Sequence, residues 1–454
     1  MAEKRRITII GGGVAGYPAA IRAVRLGAEV TLIEREALGG TCLNRGCIPT
    51  KALLQSAETL SCIRGSETFG VRVSGFELDF QAVMDRKTAV VERLTKGVRS
   101  LLAAKKIRIV SGTAEFLDSR TIRIRETGER VTSDHILIAT GSVPACPPID
   151  GLESSGVWNS SDVLAMESVP SRAVIIGGGF IGIEYAQILK VFGTEVTVLE
   201  LMPQIIPGVD REIAATLQRH LVRSGIGVVT DARVVRVSAG VARKNVLYTS
   251  EGRTEELETE RVILAAGRKP DFSHLGIDRV GLDVSKGAIA VNDRLETSVP
   301  GIYAAGDVLG GIMLAHVATA EGNLAVKNMM GANLPMQYGT VPGCIYTRPE
   351  IAVVGLTEEK AREESDIEIG RFYFRANGKA VIMNEIDGMV KIIGDRKGGH
   401  VLGVHIIGPH ATDLISEAVL GMRLGMTVKD LAEAIHPHPS LSETIMEAAQ
   451  AIGD

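Results

Sequence analysis

The stretch ITIIGGGVAGYPAAIRAVRLGAEVTLIE, residues 7 to 34, decides the fold of this chain. The run ITII, with three isoleucines, predicts a buried strand, and Gly11, Gly13 and Gly16 follow it as G-x-G-x-x-G. An amphipathic helix then leads to a second strand that ends at Glu34. In such a unit the glycines permit a tight turn, the approach of a pyrophosphate and close helix–strand packing, while the acid accepts a ribose hydroxyl. The stretch therefore predicts a dinucleotide-binding βαβ unit.

The same pattern occurs again at residues 173 to 200, AVIIGGGFIGIEYAQILKVFGTEVTVLE. Its glycines are Gly177, Gly179 and Gly182, and its acid, Glu200, follows them at the same spacing as in the first copy. A lone G-x-G-x-x-G is weak evidence, but chance does not explain strand, glycines, helix, strand and acid present twice. The chain is therefore predicted to bind two dinucleotides, which suggests a flavin and a nicotinamide, FAD and NAD.

Three further segments fit this interpretation. ATGSVP, with Gly141, and AAGRKP, with Gly267, each follow an apolar strand and are interpreted as exits of the chain from a nucleotide fold. TSVPGIYAAGDV ends a short strand at Asp307. A carboxylate there either holds the ribityl chain of a flavin or caps a helix.

Length and charge limit the classes of protein. A chain of 454 residues predicts two to four domains. Its net charge of −4, without a long basic run, favours neither a nucleic-acid nor an anionic-membrane partner. No apolar run approaches ~18 residues, so we expect no transmembrane helix, and the N-terminal apolar run is too short for a signal-peptide core. Five cysteines, an odd number, are untypical of a secreted disulfide framework, so we expect a cytoplasmic protein.

The segment GGTCLNRGCIPTK, residues 39 to 51, places Cys42 and Cys47 close together. A zinc site needs a second Cys or His pair nearby, which this sequence does not offer, so no metal is expected. A short structural disulfide and a redox-active dithiol both remain open. Thr41 is expected to cap one helix carrying both cysteines, whose N-terminus would stabilise a thiolate.

At this point the segment resembles the active-site signature of the flavin-dependent pyridine nucleotide-disulfide oxidoreductases, and the resemblance extends over nearly the whole chain. It implies that Cys42 is the interchange thiol that meets the substrate and that Cys47 lies against the flavin as a charge-transfer thiolate. It also implies that Lys51 sits near the flavin ring, paired with Glu184. The backbone of Ala315 would contact the flavin.

The C-terminal segment HPHPSLSE resembles the acid–base loop of one branch of that family, the dihydrolipoamide dehydrogenases. It implies that His438 takes the proton of a substrate thiol and that Glu443 fixes the imidazole. The expected function is oxidation of dihydrolipoamide to lipoamide with NAD⁺, in a 2-oxoacid dehydrogenase or glycine cleavage complex. A related reductase for another small disulfide and a non-catalytic flavoprotein binding subunit are the alternatives. Phe180, in the second glycine motif, is bulkier than the family's usual aliphatic residue, and Val317 replaces a common lysine.

The predicted fold class is α/β, with two doubly wound dinucleotide-binding domains and a C-terminal α+β dimerisation domain. The FAD-binding and central domain is expected at residues 1–148 and 276–342, the NAD-binding domain at 149–275, and the interface domain at 343–454. In the last, strands are predicted at 351–354, 389–393 and 401–407, with helices after residue 411. The expected partners are a second copy of this chain, forming a homodimer, and a lipoyl-bearing protein domain.

Overall fold

The computed structural model of this chain describes residues 4–153, 156–240 and 243–452. Strands account for much of this part of the chain. In chain order they are β1 (Arg6–Ile10), β2 (Glu29–Glu34), β3 (Arg108–Ser111), β4 (Ala114–Phe116), β5 (Thr121–Ile124), β6 (Arg130–Thr132), β7 (His135–Ile138), β8 (Ser142–Pro144), β9 (Arg172–Ile176), β10 (Glu195–Leu199), β11 (Gly227–Val229), β12 (Arg233–Ala239), β13 (Lys244–Ser250), β14 (Arg253–Thr259), β15 (Arg261–Leu264), β16 (Arg268–Pro270), β17 (Val284–Ser285), β18 (Ala288–Ile289), β19 (Ile302–Ala304), β20 (Gly343–Ile345), β21 (Glu350–Gly355), β22 (Ile367–Tyr373), β23 (Met389–Asp395) and β24 (Val401–Gly408).

Helices connect and cover these strands. In chain order they are α1 (Gly16–Arg25), α2 (Gly40–Arg45), α3 (Cys47–Gly65), α4 (Phe80–Ala104), α5 (Ser160–Val163), α6 (Phe180–Phe192), α7 (Arg211–Arg223), α8 (Ala315–Met329), α9 (Glu358–Glu364), α10 (Gly378–Met383), α11 (Ala411–Arg423), α12 (Val428–Glu433) and α13 (Glu443–Gln450). In the described part of the chain, none of them combines the length and apolar character that crossing a bilayer requires.

The first glycine motif opens a parallel sheet. Its strand order is β19-β7-β1-β2-β3, and β1 lies between β2 and β7 in parallel register. Because β1 is covered on both faces, its last four residues are all buried instead of alternating between buried and exposed. Three alanines on α1, Ala19, Ala20 and Ala23, are fully buried, so the helix lies close against the sheet. The turn between β1 and α1 is thereby fixed at the carboxyl edge of the sheet.

The second glycine motif opens another parallel sheet, with strand order β11-β10-β9-β15. An antiparallel sheet, β12-β13-β14, contributes to its apolar core. Between the two nucleotide folds, β8 pairs with β16 in an antiparallel ribbon. This ribbon brings the exits of the two folds, ATGSVP and AAGRKP, next to each other.

The C-terminal part is an antiparallel sheet with strand order β20-β21-β24-β23-β22, and α11, α12 and α13 contribute to its apolar core. The strands β21, β23 and β24 contain the three ranges predicted for this region. The predicted fold class is confirmed, with two parallel nucleotide folds and a mixed C-terminal domain. The domain limits proposed from the sequence stay predictions.

Candidate active site

A cavity lies where the first nucleotide fold meets the helix that begins in the second glycine motif. Phe180, Ile181 and Glu184 on α6 form one wall of it. The predicted site residues that line it are Gly11, Gly13, Glu34, Cys42, Cys47, Lys51, Gly141, Asp307 and Ala315. Those that the described structure places away from its wall are Gly16, Gly177, Gly179, Gly182, Glu200, Gly267, His438 and Glu443.

The tight turn between β1 and α1 is possible only because Gly11 and Gly16 lack a side chain. Gly11 has a φ of +104°, and a Cβ there would lie 2.2 Å from the carbonyl oxygen of Ala139. A Cβ on Gly16 would lie 1.8 Å from the carbonyl oxygen of Gly11. By contrast, a Cβ on Gly179 would meet nothing within 4 Å, so the loop is open at the position where a pyrophosphate approaches the backbone. The loops fit a bound dinucleotide.

Both acids predicted to bind ribose brace their own glycine loops. Oε2 of Glu34 accepts a hydrogen bond from the backbone N–H of Gly12 at 2.6 Å, and Oε2 of Glu200 accepts one from Gly178 at 2.5 Å. The other carboxylate oxygen of Glu200 accepts from the N–H of Met202 at 2.8 Å. Burial raises the pKa of Glu34. A carboxylate oxygen has more than one lone pair, so these contacts leave capacity for a ribose hydroxyl.

The two cysteines lie on different helices. The expectation that Thr41 caps a single helix carrying both is wrong, because α2 begins after Gly39 and ends at Arg45. Gly46, at φ −145° and ψ −112°, breaks the helical path, and Cys47 starts α3. Cys47 therefore lies at the N-terminus of a 19-residue helix, where the helix dipole favours an anion. Both thiols are free, with Cys47 exposed towards the cavity and Cys42 half-buried.

The thiols are inequivalent because they hydrogen-bond to each other beside a cation. This hydrogen bond lowers the pKa of Cys47 to about 7, helped by the charge of Lys51 and opposed by burial. The same hydrogen bond, together with burial, raises the pKa of Cys42. Cys47 is thus the thiol that carries a negative charge most readily at neutral pH.

Lys51 links the dithiol to both other domains. Its Nζ donates to Oε1 and Oε2 of Glu184 at 2.9 and 2.8 Å, the partner that the family resemblance implied. Nζ also lies 4.5 Å from the ring centroid of Tyr346, close enough for a cation–π contact. The backbone N–H of Tyr346 donates to Oε1 of Glu184 at 3.0 Å. The ammonium group is therefore held in one place beside Cys47.

Arg268 is a cavity residue that the sequence reasoning missed. Its Nε donates to Oγ of Ser142 at 2.7 Å, and its Nη2 donates to the carbonyl oxygen of Ser142 at 2.6 Å. Ser142 in turn donates to Oδ2 of Asp307, and Arg268 Nη2 lies 3.5 Å from Oγ1 of Thr41. The signal was available, because AAGRKP places an arginine directly after Gly267 in a segment already interpreted as a fold exit. The arginine ties the ribbon between the folds to Asp307 and to the residue before Cys42.

The predicted acid–base pair forms elsewhere on the chain. Nδ1 of His438 lies 2.8 Å from Oε1 of Glu443, and the N–H of Ser440 donates to Oε2 of Glu443 at 2.8 Å. These two hydrogen bonds lower the pKa of Glu443. The His438 side chain is 79% exposed, and the described residues that line the cavity end at Ala318 in chain order. The imidazole therefore faces outward, with a carboxylate holding one of its nitrogens.

Three further residues lie at or near the site, namely His436, Ala315 and His316. His436 is nearly buried, with Nε2 2.9 Å from Oε1 of Glu417. Ala315 starts α8 at the cavity wall, and Nε2 of His316 lies 2.8 Å from the carbonyl oxygen of Pro342. Among the described residues there is no group of three or more His, Cys, Asp and Glu side chains that could hold a metal ion.

Comparison with known proteins assigns the family. The sequence model of the pyridine nucleotide-disulphide oxidoreductases matches residues 5–322, and that of their dimerisation domain matches residues 341–449. A dihydrolipoyl dehydrogenase of Bacillus subtilis is 42% identical over 99% of this chain and 98% of its own length. The mitochondrial dihydrolipoyl dehydrogenase of Pisum sativum is 39% identical over 100% of this chain and 92% of its own.

A solved structure agrees with this assignment. The Cu(II) complex of the HOCl-induced flavoprotein disulfide reductase RclA from Escherichia coli superimposes with a TM-score of 0.89 at 30% identity, covering 99% of both chains. The chain belongs to the pyridine nucleotide-disulphide oxidoreductase family.

Proposed function

We propose that this chain oxidises dihydrolipoamide to lipoamide and passes the electrons to NAD⁺, as a dihydrolipoyl dehydrogenase that holds FAD. The observation that carries the proposal is the Cys42–Cys47 pair, with the pKa of Cys47 lowered to about 7, in a cavity that reaches helix α6 of the second glycine motif. Relatives that span nearly the whole of this chain carry that name.

The residues of the cavity fit FAD. The loop of Gly11 and Gly13 would take the pyrophosphate, Glu34 the ribose, and Asp307 the ribityl chain, with Ala315 and Lys51 near the ring. When bound there, FAD supplies two-electron transfer between a thiol pair and a nicotinamide. Phe180, which lines the same cavity, would shield the nicotinamide side from water.

The thiol chemistry uses three side chains, those of His438, Cys42 and Cys47. His438 takes the proton of one dihydrolipoamide thiol, and the resulting thiolate attacks Sγ of Cys42 in the Cys42–Cys47 disulfide. The S–S bond breaks, and Cys47 leaves as a thiolate beside Lys51. The second substrate thiol attacks the mixed disulfide and gives its proton to Cys42, which releases lipoamide and the Cys42 thiol, while the proton held by His438 passes to solvent. The two electrons of the dithiol, with the Cys42 proton, would pass through bound FAD to NAD⁺ as a hydride equivalent, and the Cys42–Cys47 disulfide would re-form.

The proposed site is completed by a second subunit. His438 is exposed, and the cavity wall lacks residues from the C-terminal domain within the described part of the chain. That domain matches the family's dimerisation domain. In a homodimer, His438 and Glu443 of one chain would face Cys42 of the other.

The substrate is proposed to arrive on a lipoyl-bearing protein domain. A 2-oxoacid dehydrogenase complex or a glycine cleavage system would supply it, in a reducing cytoplasm that leaves the dithiol free to cycle. The alternative is a related reductase for another small disulfide, a class that the likeness to the RclA reductase also fits.

Steady-state turnover separates these candidates. Purified flavin-loaded protein is assayed with dihydrolipoamide and NAD⁺, and in parallel with NADPH and glutathione disulfide. We expect turnover in the first assay and little in the second. An enzyme that reduces glutathione disulfide and ignores dihydrolipoamide would be the related reductase, and the proposal would be abandoned.

A further inference from the structure

The segment 201–209 folds back onto the second glycine motif. The N–H of Ile206 donates to the carbonyl oxygen of Gly178 at 2.7 Å, and a Cβ placed on Gly178 would lie 3.2 Å from Cγ2 of Ile205. At its start, the N–H of Met202 donates to Oε1 of Glu200. The segment thus holds the glycine loop and Glu200 in one arrangement.

The far end of this segment is fastened by a buried ion pair. Asp210 is completely buried, and its Oδ1 and Oδ2 accept hydrogen bonds from Nζ of Lys391 at 3.0 and 2.9 Å. It also accepts from the N–H of Glu212, at the start of α7, at 3.0 Å and from the N–H of Glu358 at 3.2 Å. Lys391 lies on β23, an interior strand of the C-terminal sheet, and is 1% exposed. The anchor therefore joins the nicotinamide-side fold to the dimerisation domain.

Three carboxylates surround the ammonium group of Lys391 and hold it in one position. Nζ lies 2.7 Å from Oε2 of Glu358 and 3.2 Å from Oε2 of Glu212, so three carboxylates converge on the ammonium group. Arg371 contacts the outer two, with Nε 2.9 Å from Oε2 of Glu212 and Nη2 3.3 Å from Oε2 of Glu358. A buried charge without its partner is costly, so Asp210 cannot leave this position cheaply.

We propose that Lys391 is a positioning residue for the nicotinamide nucleotide, acting through Asp210 and the segment 201–209 on the loop of Gly177, Gly179 and Gly182. This inference rests on the proposed binding of NAD⁺ at that motif. Lys391 touches no substrate. It fixes one end of a segment whose other contacts hold the glycine loop in position. A loop displaced from that position would bind a pyrophosphate less well.

The test is the substitution Lys391→Met in the flavin-loaded protein, with Arg371→Met as the matched control. Arg371→Met also removes one cation from the cluster, but one that contacts Glu212 and Glu358 at its outer side. The dissociation constants of NAD⁺ and of ADP-ribose are measured by titration calorimetry, and KM is measured for NAD⁺ and for dihydrolipoamide.

We expect Lys391→Met to raise both dissociation constants and the KM for NAD⁺ roughly tenfold, with the KM for dihydrolipoamide unchanged. Arg371→Met should stay within about twofold of the wild type throughout. Amide hydrogen exchange of residues 201–209 should be faster in Lys391→Met only. A merely structural role for Lys391 would affect both substrates alike.

If Lys391→Met does not fold, Asp210→Asn replaces it, since the amide oxygen can still accept from one of the two backbone N–H groups while the ion pair is lost. A folded variant of either kind that binds NAD⁺ as tightly as the wild type overturns the inference. Wild-type protein that fails to bind NAD⁺ would instead contradict the proposed function, so the two failures are distinguishable.

Discussion

Nδ1 of His438 and Oε1 of Glu443 are 2.8 Å apart, and this contact decides which nitrogen of the imidazole can act as a base. An ionised carboxylate only accepts hydrogen bonds, so the proton lies on Nδ1 and the lone pair of Nε2 is free. The N–H of Ser440 holds the other oxygen of Glu443, so the carboxylate cannot turn away. The pair is arranged to take a proton from a thiol that approaches Nε2.

Glu443→Gln should lower kcat with dihydrolipoamide by about 10²-fold or more, because the amide can donate to Nδ1 and so favour the wrong tautomer. Glu417→Gln is the matched control, since Glu417 contacts Nε2 of His436 at 2.9 Å in the same way. That control should retain nearly full kcat. Equal losses in the two variants would assign His438 a structural role.

Each active site should be shared between subunits. Homodimers of Cys42→Ser and of His438→Ala are both expected to be nearly inactive with dihydrolipoamide. In a mixed dimer, one site combines the cysteines of the His438→Ala chain with His438 of the Cys42→Ser chain. Activity should return to about half of the wild-type value per dimer, because one of two sites is whole.

The measurement uses co-expressed chains purified through two different tags. A shared site is expected because His438 is exposed and does not line the cavity that holds the cysteines of its own chain. A mixed dimer that stays inactive would show that the two residues act within the same subunit.

Cys47 should form a thiolate beside oxidised FAD after two-electron reduction, visible as absorption at the long-wavelength edge of the flavin band. The pKa of Cys47 is lowered to about 7, so the band should persist above that pH and fade as the pH falls through it. Cys47→Ser should abolish the band, whereas Cys42→Ser should show it without reduction. A plain yellow Cys42→Ser protein at neutral pH would reverse the two thiol assignments.

NAD⁺ should be preferred over NADP⁺, because Glu200 would face the 2′-phosphate and like charges at an interface cost several kcal/mol. Glu200→Gln keeps an oxygen for the N–H of Gly178 but removes the charge, so the ratio of kcat/KM for the two cofactors should fall at least about tenfold. Glu195→Gln, at the exposed start of β10, the strand that precedes Glu200, should leave the ratio unchanged. Equal kcat/KM for both cofactors in the wild type would contradict the assignment.

Lys391→Met should lower the free energy of unfolding by about 3–5 kcal/mol, because it leaves Asp210 charged and buried. Arg371→Met, at a partly exposed position, should cost about 1 kcal/mol or less. Urea unfolding of both variants measures the difference. Adding Asp210→Asn to Lys391→Met should recover part of the loss, and no recovery would mean that the uncompensated charge is not the cause.

The same ion pair predicts a pH dependence. Burial raises the pKa of Asp210, but the hydrogen bonds and charge of Lys391 outweigh it, so the folded-state pKa lies below the ordinary value. The stability from this group is thus complete above the ordinary range of an aspartate and lost as the pH falls through the lowered pKa. Between neutral and acid pH, the free energy of unfolding should therefore fall less in Asp210→Asn than in the wild type.

The sequence by itself determined the two nucleotide folds. At position 11, only glycine tolerates the positive φ and the nearby carbonyl group. This requirement is local, so the glycine motif can be recognised from the sequence without a structure. The same holds for Cys42 and Cys47, whose spacing is local. Of the C-terminal sheet, β21, β23 and β24 were predicted from the sequence, whereas β20 and β22 were not.

The tertiary structure decided how these segments are arranged and which of their residues contact each other. Helix α2 ends and α3 begins at Gly46, so the two cysteines have different helices and different pKa values, which spacing alone did not show. Arg268 meets Ser142, and Lys391 meets Asp210, across distances in the sequence that no local pattern records. Such contacts form only when the folded domains pack against each other. The residues involved are far apart in the sequence, and no periodic pattern of the sequence marks them as partners.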